Sequence, residues 1–413
     1  MALGETIPSA SLLARVEQLL ERREEANRAF FEAEAERLAR CCHAMAERFA
    51  AGGRLVALGA GPAARSDARH VAVEFVHPVI VGKRALPAIG LAPEGGALAP
   101  QLEALAESDD IAIGFGIGEP GGEQTGQALE LARARGCLTI GFATAGAEWE
   151  FVPPGEDRFV HQELVETLYH VLWELVHVFF EHRGVFAGDS TGAGGADPSG
   201  FLYPFLSEGA QDLEQVIDDV RASALTKAGE VGELRVQTLG ENAAALIAAA
   251  TDLRRSFEAG GKLLAFGNGG SATDAMDLVA DLRYPPPELA WPSRAAIDLT
   301  EDPSILTAIA NDIGPAEIFQ RQVIAYGREG DAAIAFSTSG GSENLIAALA
   351  EARRRGLGTI ALCGYDGGRI AAEGLADHVI VSRSQHIPRI QEAQASAYHV
   401  LRELIELAGA GAR

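Results

Sequence analysis

The run Ser337-Thr338-Ser339-Gly340-Gly341-Ser342-Glu343-Asn344 is rich in hydroxyls and glycines. It follows a strand-length apolar run, Ala332 to Phe336, and precedes a helical period at Leu345, Leu349 and Ala352. These periods set the turn at a helix N-terminus. There, backbone N–H groups without intrahelical partners and the positive end of the dipole favour an anion. A second turn, Gly267-Asn268-Gly269-Gly270-Ser271, follows the strand-like Lys262 to Phe266 and opens another helix near Asp274. A lone Ser/Gly turn is as well explained by an ordinary strand-to-helix loop. Two in one stretch point to a phosphate, with Asn268, Gly269, Gly270, Ser271, Ser337, Thr338, Ser339 and Ser342 as its candidate ligands.

The elements that must position these turns occur twice. Ala51-Gly52-Gly53-Arg54-Leu55-Val56-Ala57-Leu58-Gly59 echoes Ala259-Gly260-Gly261-Lys262-Leu263-Leu264-Ala265-Phe266-Gly267, and Asp110 to Phe115 echoes Asp331 to Phe336. Ala132 to Ile140 echoes Ala352 to Ile360. In each copy long amphipathic helices precede short apolar strands alternating with helices, which predicts an α/β fold with a doubly wound parallel sheet covered on both faces. The small, polar stretch around Gly188 to Gly200 cannot bury enough surface to fold and reads as a linker. The expected organisation is a domain over 1–186, a linker over 187–203 and a second domain over 204–413.

Composition narrows the partners. With 413 residues and a formal net charge of −24, the chain is large enough for two cores and is a poor match for nucleic acid or an anionic membrane surface. A secretory n-region and h-region are not evident at the N-terminus and no run is long and apolar enough to span a bilayer, so a soluble cytoplasmic protein is expected. Cys41, Cys42, Cys137 and Cys363 lack metal-finger or redox spacing and read as core thiols.

LLAFGNGGSATDAMDLVADL, the segment from Ala308 to Ala371 and the ending RIQEAQASAYHVLRELIE together resemble the phosphoheptose (sedoheptulose-7-phosphate) isomerases of the sugar-isomerase, or SIS, superfamily. The resemblance implies two tandem SIS domains, flavodoxin-like or Rossmann-like. It also implies a metal held by a His-x3-Glu pair on the helix after the first strand and a Gln-x7-His pair on the last helix. The N-terminal copy carries these as His70, Glu74, Gln162 and His170. Two imidazoles, a carboxylate and an amide oxygen suit zinc or a similar divalent ion. That copy has no hydroxyl-rich turn: Gly116 to Glu123 brings Glu119 and Glu123, which would repel a phosphate, and Pro62 in its first turn has no N–H.

The C-terminal copy is the converse. It keeps both phosphate turns and the pair Gln391 and His399, but has Asp277 and Asp281 where the family has His and Glu. These side chains offer either a hard-cation site or, with Asp281 as base, a metal-free one. The shorter Asp puts isomerase activity in question, since a displacement of ~1 Å costs orders of magnitude.

Aldose–ketose isomerisation needs a base, an acid and stabilisation of an enediolate. The expected assignment is Asp281 as base and His399 as acid/base partner, with Gln391 and Asp302 binding the sugar; Glu74 and His170 are the N-terminal counterparts. The first reading is therefore a ketose-to-aldose sugar-phosphate isomerase, sedoheptulose 7-phosphate being the leading substrate. The rival is a non-catalytic sugar-phosphate-binding or protein-interaction SIS module. A homodimer forming a pseudo-tetramer is also expected, paired through Leu12, Leu13, Val16, Leu19, Leu20, Val216, Ile217 and Val220.

Overall fold

The computed structural model describes residues 9–79, 83–93, 97–181 and 213–407; the expected linker lies outside them. In the first half α1 (Ser9–Ala50) leads to β1 (Leu55–Gly59), α2 (Pro62–Val76), β2 (Ala88–Leu91), α3 (Leu98–Leu105), β3 (Ile111–Phe115), α4 (Glu123–Ala134), β4 (Leu138–Gly141), β5 (Trp149–Glu150) and α5 (Arg158–Glu181). The second half contains α6 (Leu213–Glu258), β6 (Leu263–Gly267), α7 (Gly270–Arg283), β7 (Ala296–Asp298), α8 (Pro303–Asp312), α9 (Ile318–Tyr326) and β8 (Ala332–Ser337). It continues through α10 (Glu343–Arg354), β9 (Gly358–Gly364), α11 (Gly368–Ala372), β10 (His378–Ser382) and α12 (Ile387–Leu407).

Each half builds a five-stranded parallel sheet with the same order, β2-β1-β3-β4-β5 and β7-β6-β8-β9-β10. This is the doubly wound arrangement the repeat predicts. Strand periodicity explains the layering, because successive residues face opposite sides. Leu263 and Ala265 join Ile334, Phe336 and Leu362 in one core, while Leu264 and Phe266 join Ala333, Ala335 and Cys363 in the other. Strands buried on both faces need continuous apolar runs, which is why β1, β3, β6 and β8 read that way.

The compact units do not follow chain halves. The C-terminal unit takes the described residues up to Ala26, Asp157–Glu163 and the described residues from Glu230 onward; the N-terminal unit takes Asn27–Glu156 and the described remainder up to Gly229. Of the residues expected to pair chains, Leu13 is exposed and Leu20 half-buried, and the other six are buried within one chain. Leu12, Val16 and Leu19 pack with Leu239, Leu246 and Tyr398 in the C-terminal unit's core, and Val216, Ile217 and Val220 are buried too. A helix's apolar stripe looks the same whether its own chain or a second one covers it.

Gly340 has φ of +61°, and a Cβ there would stand 2.2 Å from the carbonyl oxygen of Gly367. Gly340→Ala is expected to lose ~1–3 kcal/mol of stability, read as a lower urea midpoint.

Candidate functional site

The two turns leave neighbouring strands at one level, since Gly267 of β6 pairs with Phe336 of β8. This is the switch point of the sheet, where α/β proteins bind ligands. Asn268 and Asn344 tie the turns together: Asn268 Nδ2 donates to Asn344 Oδ1 at 3.0 Å and Asn344 Nδ2 donates to Asn268 Oδ1 at 2.9 Å. Ser337 is buried and its Oγ accepts from the Gly340 N–H at 3.0 Å, so it shapes the turn from inside. Ser339 Oγ accepts from the Gly341 N–H. Thr338 and Ser342 are half-buried and Ser339 exposed at the mouth, while Ser271 is buried at the start of α7. Asp302 takes the capping role: its carboxylate accepts from the Ser304 and Ile305 N–H groups at the start of α8.

Along α7 the spacing of four sets Asp277 and Asp281 on one face, toward α12. His399 Nε2 faces Asp277 Oδ2 at 3.4 Å and Asp281 Oδ2 at 3.7 Å. Neither His399 Nε2 nor Asp281 Oδ2 completes a hydrogen bond among the described residues. Tyr398 OH donates to Asp277 Oδ2 at 2.7 Å, and the Gln162 amide also bonds Asp277. On its far side His399 Nδ1 bonds Glu163 Oε1 at 2.9 Å, and Arg23 Nε donates to both Glu163 oxygens at 2.9 and 3.1 Å. All these groups are buried except Gln162, which is half-buried.

Burial fixes the protonation states. Desolvation, then the Asp277 charge, pushes the Asp281 carboxyl up to about 7. Desolvation alone would lower the His399 pKa, but the adjacent Asp277 carboxylate and the bond to Glu163, with the charges of both, carry it up to about 10. Desolvation likewise opposes ionisation of Glu163, and the Arg23 charge and His399 bring it down to about 2. Asp277 moves down despite its burial, through the adjacent His399 first. One donor atom each from Asp277, Asp281 and His399 lies within 4.8 Å of the others. The same three side chains could hold a cation or exchange a proton.

In the N-terminal unit, α2 and α5 bring His70 and His170 together with their Nε2 atoms 3.3 Å apart. Glu74 Oε1 lies 3.8 Å from His70 Nε2, and Tyr169 OH bonds His70 Nδ1 at 2.9 Å. Glu166 completes this group: one donor atom each from His70, Glu166 and His170 lies within 4.8 Å of the others. Gln162 of the expected quartet falls in the C-terminal unit, and Glu166, one helical turn before His170, is an additional carboxylate beside the imidazoles. The donor set fits a zinc ion. Tetrahedral ligands about 2.0–2.1 Å from zinc stand about 3.3 Å apart, the observed imidazole separation, and Tyr169 at Nδ1 is the outer partner that turns Nε2 inward.

Residues 228–364 match the SIS domain family. The chain is 44% identical over 204 residues to the phosphoheptose isomerase of Pelodictyon phaeoclathratiforme, covering 49% of this chain and 92% of that protein. The chain belongs to the phosphoheptose isomerase family. A second member, from Paramagnetospirillum magneticum, is 46% identical over 159 residues, 38% of this chain and 80% of its own length. Among solved structures, the C-terminal domain of glucosamine-fructose-6-phosphate aminotransferase from Francisella tularensis matches at a TM-score of 0.58 and 11% identity, covering 95% of this chain and 96% of that one. Tagatose-6-phosphate ketose/aldose isomerase from Escherichia coli matches at 0.56 and 13% identity, covering 98% and 95%. These two likenesses concern the fold.

Three site residues escape a reading by family spacing alone: Glu163, Glu166 and Tyr398. Gln-Glu recurs at 162–163 and 391–392, and Tyr-His-Val-Leu at 169–172 and 398–401, a signal that could have singled out Glu163 and Tyr398. Gln391 itself is buried on α12, about two turns before His399.

A histidine whose folded pKa is raised stabilises fully below its unfolded value near 6.5 and loses that contribution as pH climbs toward about 10. Above pH 7, where Asp281 is ionised, the gap in melting temperature between the native chain and His399→Gln should therefore shrink with rising pH. A constant gap across pH 7–10 would show that His399 is neutral when folded.

Proposed function

We propose that the chain is a sugar-phosphate isomerase interconverting a ketose phosphate and its aldose phosphate, with sedoheptulose 7-phosphate as the leading substrate. The observation that carries this reading is the pairing, in one unit, of two adjoining anion-cradling turns with a buried Asp281–His399 pair. Asp277 sits seven residues along α7 from its first residue, about 10 Å by helix rise. An open-chain sugar phosphate held at the turns has that reach. Names of the family's members support the same reaction class.

In the forward direction Asp281, once ionised, takes a proton from C1 of the ketose. His399 gives its Nε2 proton to the carbonyl oxygen at C2, so charge does not accumulate on the enediol. Asp281 returns its proton to C2 and His399 recovers one from the C1 hydroxyl. An Asp near pH 7 suits this exchange, because a general base works best when its pKa lies near the ambient pH. Thr338, Ser339, Ser342 and the N–H groups opening α7 and α10 hold the phosphate. In the N-terminal unit His70, Glu166 and His170 would hold a divalent ion, zinc by donor type. Such an ion supplies positive charge for an oxyanion when bound. Glu74 adds a carboxylate 3.8 Å from His70 Nε2.

The test is aldose-phosphate formation from sedoheptulose 7-phosphate by metal-stripped and zinc-restored chain, with metal content read in parallel. Turnover is expected, with Asp281→Asn lowering kcat by about 100-fold or more and Thr338→Ala chiefly raising KM. His70→Ala should lose bound zinc. Binding of the sugar phosphate without turnover in either form would move the chain to the non-catalytic, sugar-phosphate-binding reading.

A further inference from the structure

We propose that Glu163 is a positioning residue of the C-terminal site: anchored by Arg23, its carboxylate holds His399 in the tautomer and orientation that turn Nε2 toward Asp277 and Asp281. This rests on the reading of His399 as the acid of the isomerisation.

The geometry leaves one arrangement. A carboxylate accepts and does not donate. Glu163 Oε1 lies 2.9 Å from His399 Nδ1, so the shared proton belongs to Nδ1 and the reacting position is Nε2. The carboxylate has little freedom to turn. Arg23 Nε reaches both its oxygens, Ser396 Oγ donates to Oε2, and Arg235 Nη2 donates to the Glu163 backbone oxygen at 3.2 Å. Arg23 is itself held by Nη1 donating to the Leu19 carbonyl at 3.1 Å. Arg23 and Glu163 are each 1% exposed and His399 is fully buried, so water does not compete for these bonds. The arrangement matches the carboxylate that orients the histidine of a hydrolase triad, on an unrelated fold.

The same short stretch of α5 braces the imidazole elsewhere. Phe159 packs on it with ring centroids 4.9 Å apart, and Gln162 bonds Asp277. Arg23, Phe159, Gln162 and Glu163 all belong to the first copy in sequence, yet they complete the acid–base cluster of the second. A C-terminal copy without them would keep its phosphate turns and lose the partner of His399. That gives a chemical reason for both copies to be carried on one chain.

Two readouts on the full-length, zinc-loaded chain test the role. In Glu163→Gln, kcat should fall about 100-fold while KM for the sugar phosphate changes less than about 3-fold, because the turns are untouched; Glu163→Asp should recover part of the loss. Nitrogen NMR of histidine-labelled chain, with His399→Gln to assign the signal, should show Nδ1 protonated in the native chain and the signal altered in Glu163→Gln. If that variant does not fold because Arg23 is left without its partner, the double variant Arg23→Gln/Glu163→Gln removes both charges and is read in the same way. Unchanged kcat in a folded variant, or an Nδ1 that carries no proton in the native chain, overturns the proposal. Should the native chain not turn over the sugar phosphate, the isomerase reading fails, and the NMR arm still decides whether Glu163 orients His399.

Discussion

The level ending of β6 and β8 is the constraint on which the C-terminal site depends. Parallel pairing puts Gly267 beside Phe336, so the two turns that open α7 and α10 leave the sheet at the same level. A one-residue slip would move one turn by about 3.3 Å along the sheet and separate the donors. The Asn268–Asn344 pair spans the turns at this level, and Gly340 lets the second turn close against Gly367 where a side chain would collide. Topology alone does not make an anion site. The N-terminal sheet has the same register, Gly59 beside Phe115, but Pro62 opens α2 and acidic side chains follow β3.

From that level α7 carries Asp277 and Asp281 into a region closed to water, where isolated charge is strongly unfavourable. The chain answers with alternating charge: Arg23, Glu163, His399 and Asp277 follow one another through contacts of 2.9 to 3.4 Å, and Asp281 stays near its titration point. Buried ion pairs are weak evidence for stability, since apolar residues of similar volume often serve as well or better. A row of charges that ends on an imidazole nitrogen and a carboxylate oxygen, neither with a hydrogen bond completed among the described residues, is not explained by stability alone.

Much of this was legible before any fold was known. Strand runs such as Ile111–Phe115, the duplicated order of elements and the two Ser/Gly turns are local patterns, and local patterns survive in sequence. The allegiance of particular side chains was less so. Gln162 and His170 share a helix and a spacing with Gln391 and His399, yet α5 contributes its first residues to one unit and the rest to the other. Spacing along a helix says which face a residue occupies and nothing about which sheet that face meets. Asp302 shows a different limit. A carboxylate beside a proline at a helix start caps that helix whether or not a ligand is near, so its type did not separate the two roles.

The two copies preserve one framework and place different chemistry on it. Tyr169 and Tyr398 occupy the same place in the repeated Tyr-His-Val-Leu, and each bonds the residue that opens the pair on the facing helix, His70 in one copy and Asp277 in the other. Where that residue is an imidazole, a second imidazole stands 3.3 Å away and a carboxylate joins them, a donor set for a metal. Where it is a carboxylate, the nearby imidazole is drawn into a charge pair and stays protonated. A single change of residue type at an equivalent position thus changes the donor set, from His70, Glu166 and His170 in one copy to Asp277, Asp281 and His399 in the other. The two Ser/Gly turns accompany the second set. A duplicated unit freed from performing every task in each copy can divide them in this way, provided that the copies remain linked closely enough for residues of one to complete the other.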